Sequence, residues 1–201
     1  MKHISFFLFF ILTVSFSPLF AEEKCTYEYD SKQTAIEWTA FKFTEKTGVK
    51  GKMESFKATH TKKAKTILDS LKDLRFTVQT SSLNSSVPDR DEKIKKFFFG
   101  SVKNGKEFKG NFSQIKGTNE GSATLNLEFN KIKKSVPVQF KITGDSIEVT
   151  GTLDVLELGL KEGISRLNEE CRDLHKGADG TSKLWPTVDI KITSTLTKTC
   201  S

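Results

Sequence analysis

ATLNLEFNKIKKSVPVQFKI, residues 123 to 142, decides how the rest of the chain is read. Leu125, Leu127 and Phe129 alternate with Asn126 and Glu128. Val136, Val138, Phe140 and Ile142 then alternate with Pro137, Gln139 and Lys141. Successive side chains of a strand point to opposite faces, so each run has one apolar face and one wet face. The same period recurs on both sides of this segment. TAIEWTAFKF (34–43) sets Ile36, Trp38 and Ala40 against Glu37 and Thr39, and LRFTVQT (74–80) sets Leu74, Phe76 and Val78 against Arg75, Thr77 and Gln79. SIEVTGTL (146–153) and VDIKITSTL (188–196) complete the series.

This patterning predicts about eight strands, near 34–43, 48–58, 73–80, 106–116, 122–129, 136–142, 146–153 and 187–198. Asn104-Gly105, Asn119-Glu120-Gly121 and Thr143-Gly144-Asp145 read as hairpin loops between them. Two segments change period. KKAKTILDSLKDL (62–74) places Ile67, Leu68, Leu71 and Leu74 at helical spacing. VLELGLKEGISRLNEECRDL (155–174) does so with Leu160, Ile164, Leu167, Cys171 and Leu174. The expectation is an all-β chain of eight antiparallel strands with one or two short helices. Such a chain buries its apolar face as a two-sheet sandwich or as a closed barrel, and alternation alone does not separate them. Cysteines near both ends favour closure, which makes first and last strands neighbours.

The N-terminus belongs to a different process. Met1-Lys2-His3 precedes an apolar run over residues 4–20, which ends at Ala21 before Glu22-Glu23. That layout is a secretory signal peptide over residues 1–21, leaving residues 22–201 as one exported domain, periplasmic or secreted. The chain carries 32 basic and 25 acidic residues, a formal charge of +7. The two signs are interspersed, which argues against a nucleic-acid face and is compatible with transient contact with an anionic membrane surface. Cys25, Cys171 and Cys200 all fall in the exported part, so one disulfide and one free thiol are expected. Cys25–Cys200 would join the two ends, and Cys25–Cys171 is its rival.

Catalytic signatures are sparse. The mature chain holds only His60 and His175, and no Gly-x-Ser-x-Gly, His-Glu-x-x-His or Cys-x-x-Cys element occurs. Cys171 and His175 stand four residues apart on an expected helix, which supplies two ligands where a metal site needs three or four. The reading is therefore non-enzymatic, with no catalytic residue, no metal and no cofactor.

SSLNSSVPDRDEKIKKFFFG (81–100) carries the remaining information. Asp89 and Asp91 suit the head of a short helix, where they cap free amides and oppose the dipole. Arg90 is either an ion-pair partner there or a contact for a ligand's polar head. Three consecutive phenylalanines, Phe97 to Phe99, cannot all face one way on a strand or a helix.

Val78, Ser82, Leu83, Asn84, Arg90, Asp91, Ile94 and Phe97-Phe98 fall in register with the signature of the YceI-like family of exported lipid-binding proteins, which this stretch resembles. Tyr29-Asp30, Ile36, Trp38 and Val49-Lys50-Gly51 are similar to that family's first two strands. Leu125, Leu127, Lys134, Val136 and Val138 resemble its central element, Leu158-Gly159-Leu160 stands where it often has Phe-Gly, and Val188, Ile190 and Ile192 match its closing strand. Gln33 and Lys93 replace histidines of the family pattern, and residues 161–186 lie outside it. The resemblance implies a lipocalin-like β-barrel, dimers in some members, and an apolar interior holding a long-chain isoprenoid or fatty-acid-like lipid. The residues expected around that lipid are Ile36, Trp38, Leu74, Phe76 and Val78, then Leu125, Leu127, Phe129, Val138 and Phe140, with Arg90, Phe97 and Phe98 at the rim. Burying about ten methylenes would contribute roughly 8 kcal/mol before ordering costs. The competing expectation is a filled barrel acting as a structural or interaction module of the cell envelope.

Overall fold

The computed structural model describes residues 24–201. The expected signal peptide lies outside the described residues. Strands dominate: β1 (Cys25–Glu28), β2 (Thr34–Lys42), β3 (Thr47–Met53), β4 (Phe56–Thr59), β5 (Arg75–Gln79) and β6 (Leu83–Asn84) precede β7 (Glu107–Gly117) and β8 (Glu120–Phe129). β9 (Ile132–Thr143), β10 (Ser146–Asp154), β11 (Leu184–Thr195) and β12 (Thr197–Cys200) follow. The helices are α1 (Ile67–Leu71), α2 (Pro88–Lys93) and α3 (Lys161–Glu170).

Ten strands form one antiparallel sheet in the order β4-β5-β7-β8-β9-β10-β11-β2-β3-β6, and β1 pairs with β12 in a separate ribbon. The count differs from the eight expected for two local reasons. The run expected over 48–58 breaks at Glu54–Ser55, where both residues bond instead to the chain between β5 and β6: Glu54 N–H donates to Ser82 O and Gln79 N–H to Ser55 O. Leu83–Asn84 adds a short strand against Lys52 and Met53. Because β6 pairs with β3 while β4 pairs with β5, the two ends of the strand order lie along one seam and the sheet curls on itself. Asn104–Gly105 is also not a hairpin loop. Residues 88–101 are helical, so this turn leads from a helical segment into β7.

Antiparallel alternation sorts the connections to two ends. One end collects α1, the β1–β12 ribbon and the short turns after β7 and β9. The other collects the β2–β3 turn, the helical segments around α2 and α3, and the β8–β9 turn. That last turn has two residues, Asn130 and Lys131, both at positive φ, as a type I′ hairpin requires. Cys25 and Cys200 are paired in register and joined by a disulfide, while Cys171 is free and buried. The bond sits in the ribbon rather than between the long strands. β2 and β11, the first and last long strands, nevertheless pair along most of their length.

The core has two continuous parts. Leu125, Val138, Phe140, Ile147 and Val149 pack toward the ribbon end. Trp38, Met53, Phe99, Phe129 and Leu160 pack toward the helical end. α1 begins on Thr66, whose hydroxyl accepts from Asp69 N–H, and it buries Ile67 and Ser70. α3 covers the helical end, with Leu160 wholly buried at its start; Leu174, expected on its apolar face, lies beyond it and is exposed.

Candidate functional site: an apolar cavity inside the sheet

The β2–β11 pairing lays out the interior residue by residue. Inward positions meet as Thr34–Ser194, Ile36–Ile192, Trp38–Ile190, Ala40–Val188 and Lys42–Leu184. The ladder therefore begins in hydroxyls at the ribbon end, runs through hydrocarbon, and reaches a lysine at the helical end. Alternation is the cause, since every second side chain of each strand faces inward.

A cavity of about 180 Å³ runs beside this ladder. Its walls reach from Tyr29 and Thr34 at the ribbon end to Phe98 and Leu160 at the helical end. From Thr34 to Trp38 alone the strand advances roughly 13 Å, at about 3.3 Å per residue. An engineered apolar cavity of ~150 Å³ stays dry and admits benzene, so this space is larger than a packing defect.

Of the residues expected around a lipid, Ile36, Trp38, Leu74, Phe76, Val78, Phe98, Leu125 and Leu127 line the cavity. Trp38 is laid over the neighbouring strand β3 by its indole N–H, which donates to Lys52 O at 3.3 Å. Its ring lies where a side chain on β3 would be: a Cβ at Gly51 would stand 2.2 Å from Trp38 Cζ2. Gly51 therefore shapes this wall.

The other expected contacts sit elsewhere. Val138 and Phe140 are buried in the sheet core, opposite Gly151 and Val149 of β10, and do not reach the cavity. Phe129 stacks on Phe108 at 4.3 Å, and Phe99 approaches both rings edge-on. Phe98 meets Phe99 edge-on at 5.0 Å, so the aromatic group closes the helical end. Phe97 is half-buried outside, with Lys96 Nζ 4.9 Å from its ring centroid. The three adjacent phenylalanines diverge because Ile94–Phe98 winds as a π-helical turn between α2 and a 3₁₀ turn over Phe99–Ser101. α3 lies close against this segment: a Cβ on Gly163 would be 2.7 Å from Phe98 O.

Arg90 is half-buried on α2 and forms no ion pair among the described residues. It lies toward Lys42, whose pKa is lowered by burial first and by Arg90 second. Asp91 is the structural partner of this segment, accepting from the N–H and the hydroxyl of Ser85. Lys42 Nζ donates to Leu174 O at 3.0 Å and so ties β2 to the turn after α3.

The Cys171–His175 pair lies at the same end. Burial raises the Cys171 pKa, and a protonated thiol is a poor nucleophile and metal ligand. His175 Nδ1 bonds Asn168 Oδ1, and burial, then Lys42 and Lys93, lower its pKa to about 4. Among the described residues no three His, Cys, Asp or Glu side chains are placed to hold a metal ion. No described helix is long and apolar enough to cross a membrane.

Several wall residues escaped the sequence reading. Ile147, Val149, Ile190 and Ile192 obey the same alternation and were legible in principle. Phe56, Phe108 and Phe112 lie where bends or glycines interrupt it, and Tyr29 precedes any alternating run.

An antiparallel sheet curled around an apolar cavity defines a lipocalin-like fold. The chain belongs to the YceI-like domain family, whose model matches residues 27–196. It is similar in structure to a polyisoprenoid binding domain from Saccharophagus degradans, at TM-score 0.57 and 10% identity over 85% of this chain and 97% of that one. BcnA of Burkholderia cenocepacia gives TM-score 0.54 and 12% identity over 85% and 99%. The Campylobacter jejuni YCEI protein gives 0.53 and 14% over 80% and 89%. No curated protein matches the chain.

Proposed function

We propose that this protein is an exported, non-enzymatic binding protein that holds a long-chain isoprenoid or similar amphiphile inside its sheet, for transport, storage or sequestration. The observation that carries this reading is the cavity, walled by hydrocarbon from the Ile36–Ile192 pair to Leu160. Apolar surface removed from water there contributes about 25 cal/mol per Å², with no reacting group required. Family membership supports the ligand class, because a structurally similar domain is described as polyisoprenoid binding. Export is supported by the Cys25–Cys200 disulfide, which suits an oxidising compartment, together with the leader-like sequence at residues 1–21.

The test is native mass spectrometry of protein purified from its own host, followed by solvent extraction. A co-purifying lipid, or uptake of added isoprenoid at one per chain, is the expected result. An empty protein that also refuses added isoprenoids overturns the reading. It would favour a structural module with a filled interior, an alternative to which the aromatic group at the helical end lends support.

A further inference from the structure

The cavity is polar at one end only. At the ribbon end Thr34, Ser194 and Tyr29 line it, whereas Phe98, Leu158 and Leu160 line the helical end with carbon. Among the described residues no charged side chain faces the space. Glu37 borders it through its backbone, since Ile36 and Trp38 on either side point inward. Its carboxylate shares the outer surface of the sheet with Lys52 and Lys191. Lys42 ends the interior ladder but is absent from the wall, and its ammonium is committed to Leu174 O.

The hydroxyls also have a defined polarity. Thr34 Oγ1 stands 3.1 Å from Asp30 O and 2.8 Å from Ser194 Oγ. A carbonyl only accepts, so the single Thr34 proton goes to Asp30, and Ser194 donates to Thr34. The Ser194 oxygen is left with free lone pairs, in a residue only 3% exposed. Tyr29 stays protonated beside it, because burial raises its pKa above the ordinary 10.0 by more than its hydrogen bond with Thr34 lowers it. With the Thr34 proton held by Asp30 O, the phenol proton is the one spent in that bond. The polar end thus offers acceptor capacity and no charge.

We infer that the bound amphiphile has an uncharged head bearing an O–H or N–H donor, an alcohol or a primary amide, seated at the Thr34–Ser194 pair beside Tyr29. The hydrocarbon tail extends past Ile36 and Trp38 toward Phe98. A carboxylate or phosphate head would enter a dry end with no cation to meet it and an acceptor oxygen to repel it, which is costly. This inference rests on the lipid-holding reading and deepens it by naming the head group.

The experiment uses the full mature chain and the fluorophore N-phenyl-1-naphthylamine, displaced by farnesol or by farnesoic acid at pH 8. Farnesol is expected to compete at least about 30-fold better than the acid, the consequence of burying an unpaired carboxylate. Ser194→Ala and Thr34→Val are each expected to weaken farnesol roughly 3- to 10-fold, the range of one neutral hydrogen bond, with competition read against each variant's own fluorophore affinity. Thr34→Ser, which keeps the hydroxyl, restores farnesol binding and controls for folding. Equal competition by alcohol and acid, or farnesol affinity indifferent to both Ser194→Ala and Thr34→Val, overturns the head-group inference and leaves lipid holding intact. No fluorophore uptake by the folded wild type overturns both.

Discussion

Trp38 lies flat over the inner face of β3 only because residue 51 has no side chain. A methyl there would meet the indole at 2.2 Å and Asn84 O at 2.7 Å, so the ring would have to swing into the cavity and the β3–β6 pairing would have to shift. Gly51→Ala is therefore expected to destabilise the fold by about 1–3 kcal/mol, read as a lower urea midpoint, and to weaken uptake of an apolar fluorophore. His175 makes a second prediction. Its folded pKa is near 4 against 6.5 when unfolded. The unfolded chain thus binds a proton that the folded chain refuses, and stability falls as pH drops from about 6.5 to 4. With Lys42 and Lys93 facing the ring and Asn168 holding it, the loss, reduced by solvent screening of a half-exposed ring, is on the order of 2 kcal/mol. His175→Gln should flatten that part of the pH profile, and an unchanged difference between pH 7 and 4.5 would contradict the assignment. At this scale the wall was legible wherever alternation is strict, as at Ile36, Trp38 and Leu125. Val138 and Phe140 obey the same alternation yet pack into the sheet core, because alternation gives a face but no depth.

The π-helical turn over Ile94–Phe98 is the element that most shapes the helical end. It sends Phe98 to the cavity, Phe99 into the aromatic group and Phe97 outward to Lys96. α3 holds it there, and the contact depends on Gly163, whose added Cβ would strike Phe98 O. Gly163→Val should push α3 away from the turn. The expected readout is faster hydrogen exchange at residues 94–101 than in β8 or β9, which lie in the sheet. Strand and helix types were readable from period and length. The π turn was not, since "KKFFF" carries no period that distinguishes a π turn from an α turn. The break at Glu54–Ser55 was hidden too, because its cause is hydrogen bonding to residues 79–82, distant in sequence.

For the whole molecule, curling of the sheet and pairing of the outer cysteines reinforce each other. The disulfide links residues 175 apart, which in chain-entropy terms contributes about 5 kcal/mol. Paired Cys25→Ser and Cys200→Ser substitution should lower the unfolding free energy by an amount of that order or less, read from urea denaturation. Fluorophore uptake well below the transition should persist, because β1 and β12 stand outside the ten-stranded sheet. Cys171 should resist a thiol reagent in the native protein and react once in denaturant without reductant, as its burial and raised pKa require. Fold class could be read from the sequence because its signal is spread over many residues, whereas the pairing of three cysteines is a single geometric fact that spacing does not determine.

That bond also changes the connectivity of the object. From Cys25 to Cys200 the domain is covalently a ring, with its two ends fastened side by side. A protease cutting once at an exposed turn such as Thr118–Asn119 would open the ring without dividing it, and the product would run as one species until reduced. For the same reason new chain ends could be placed at that turn and the old ones joined by a short linker, giving a permuted order of strands around the same interior.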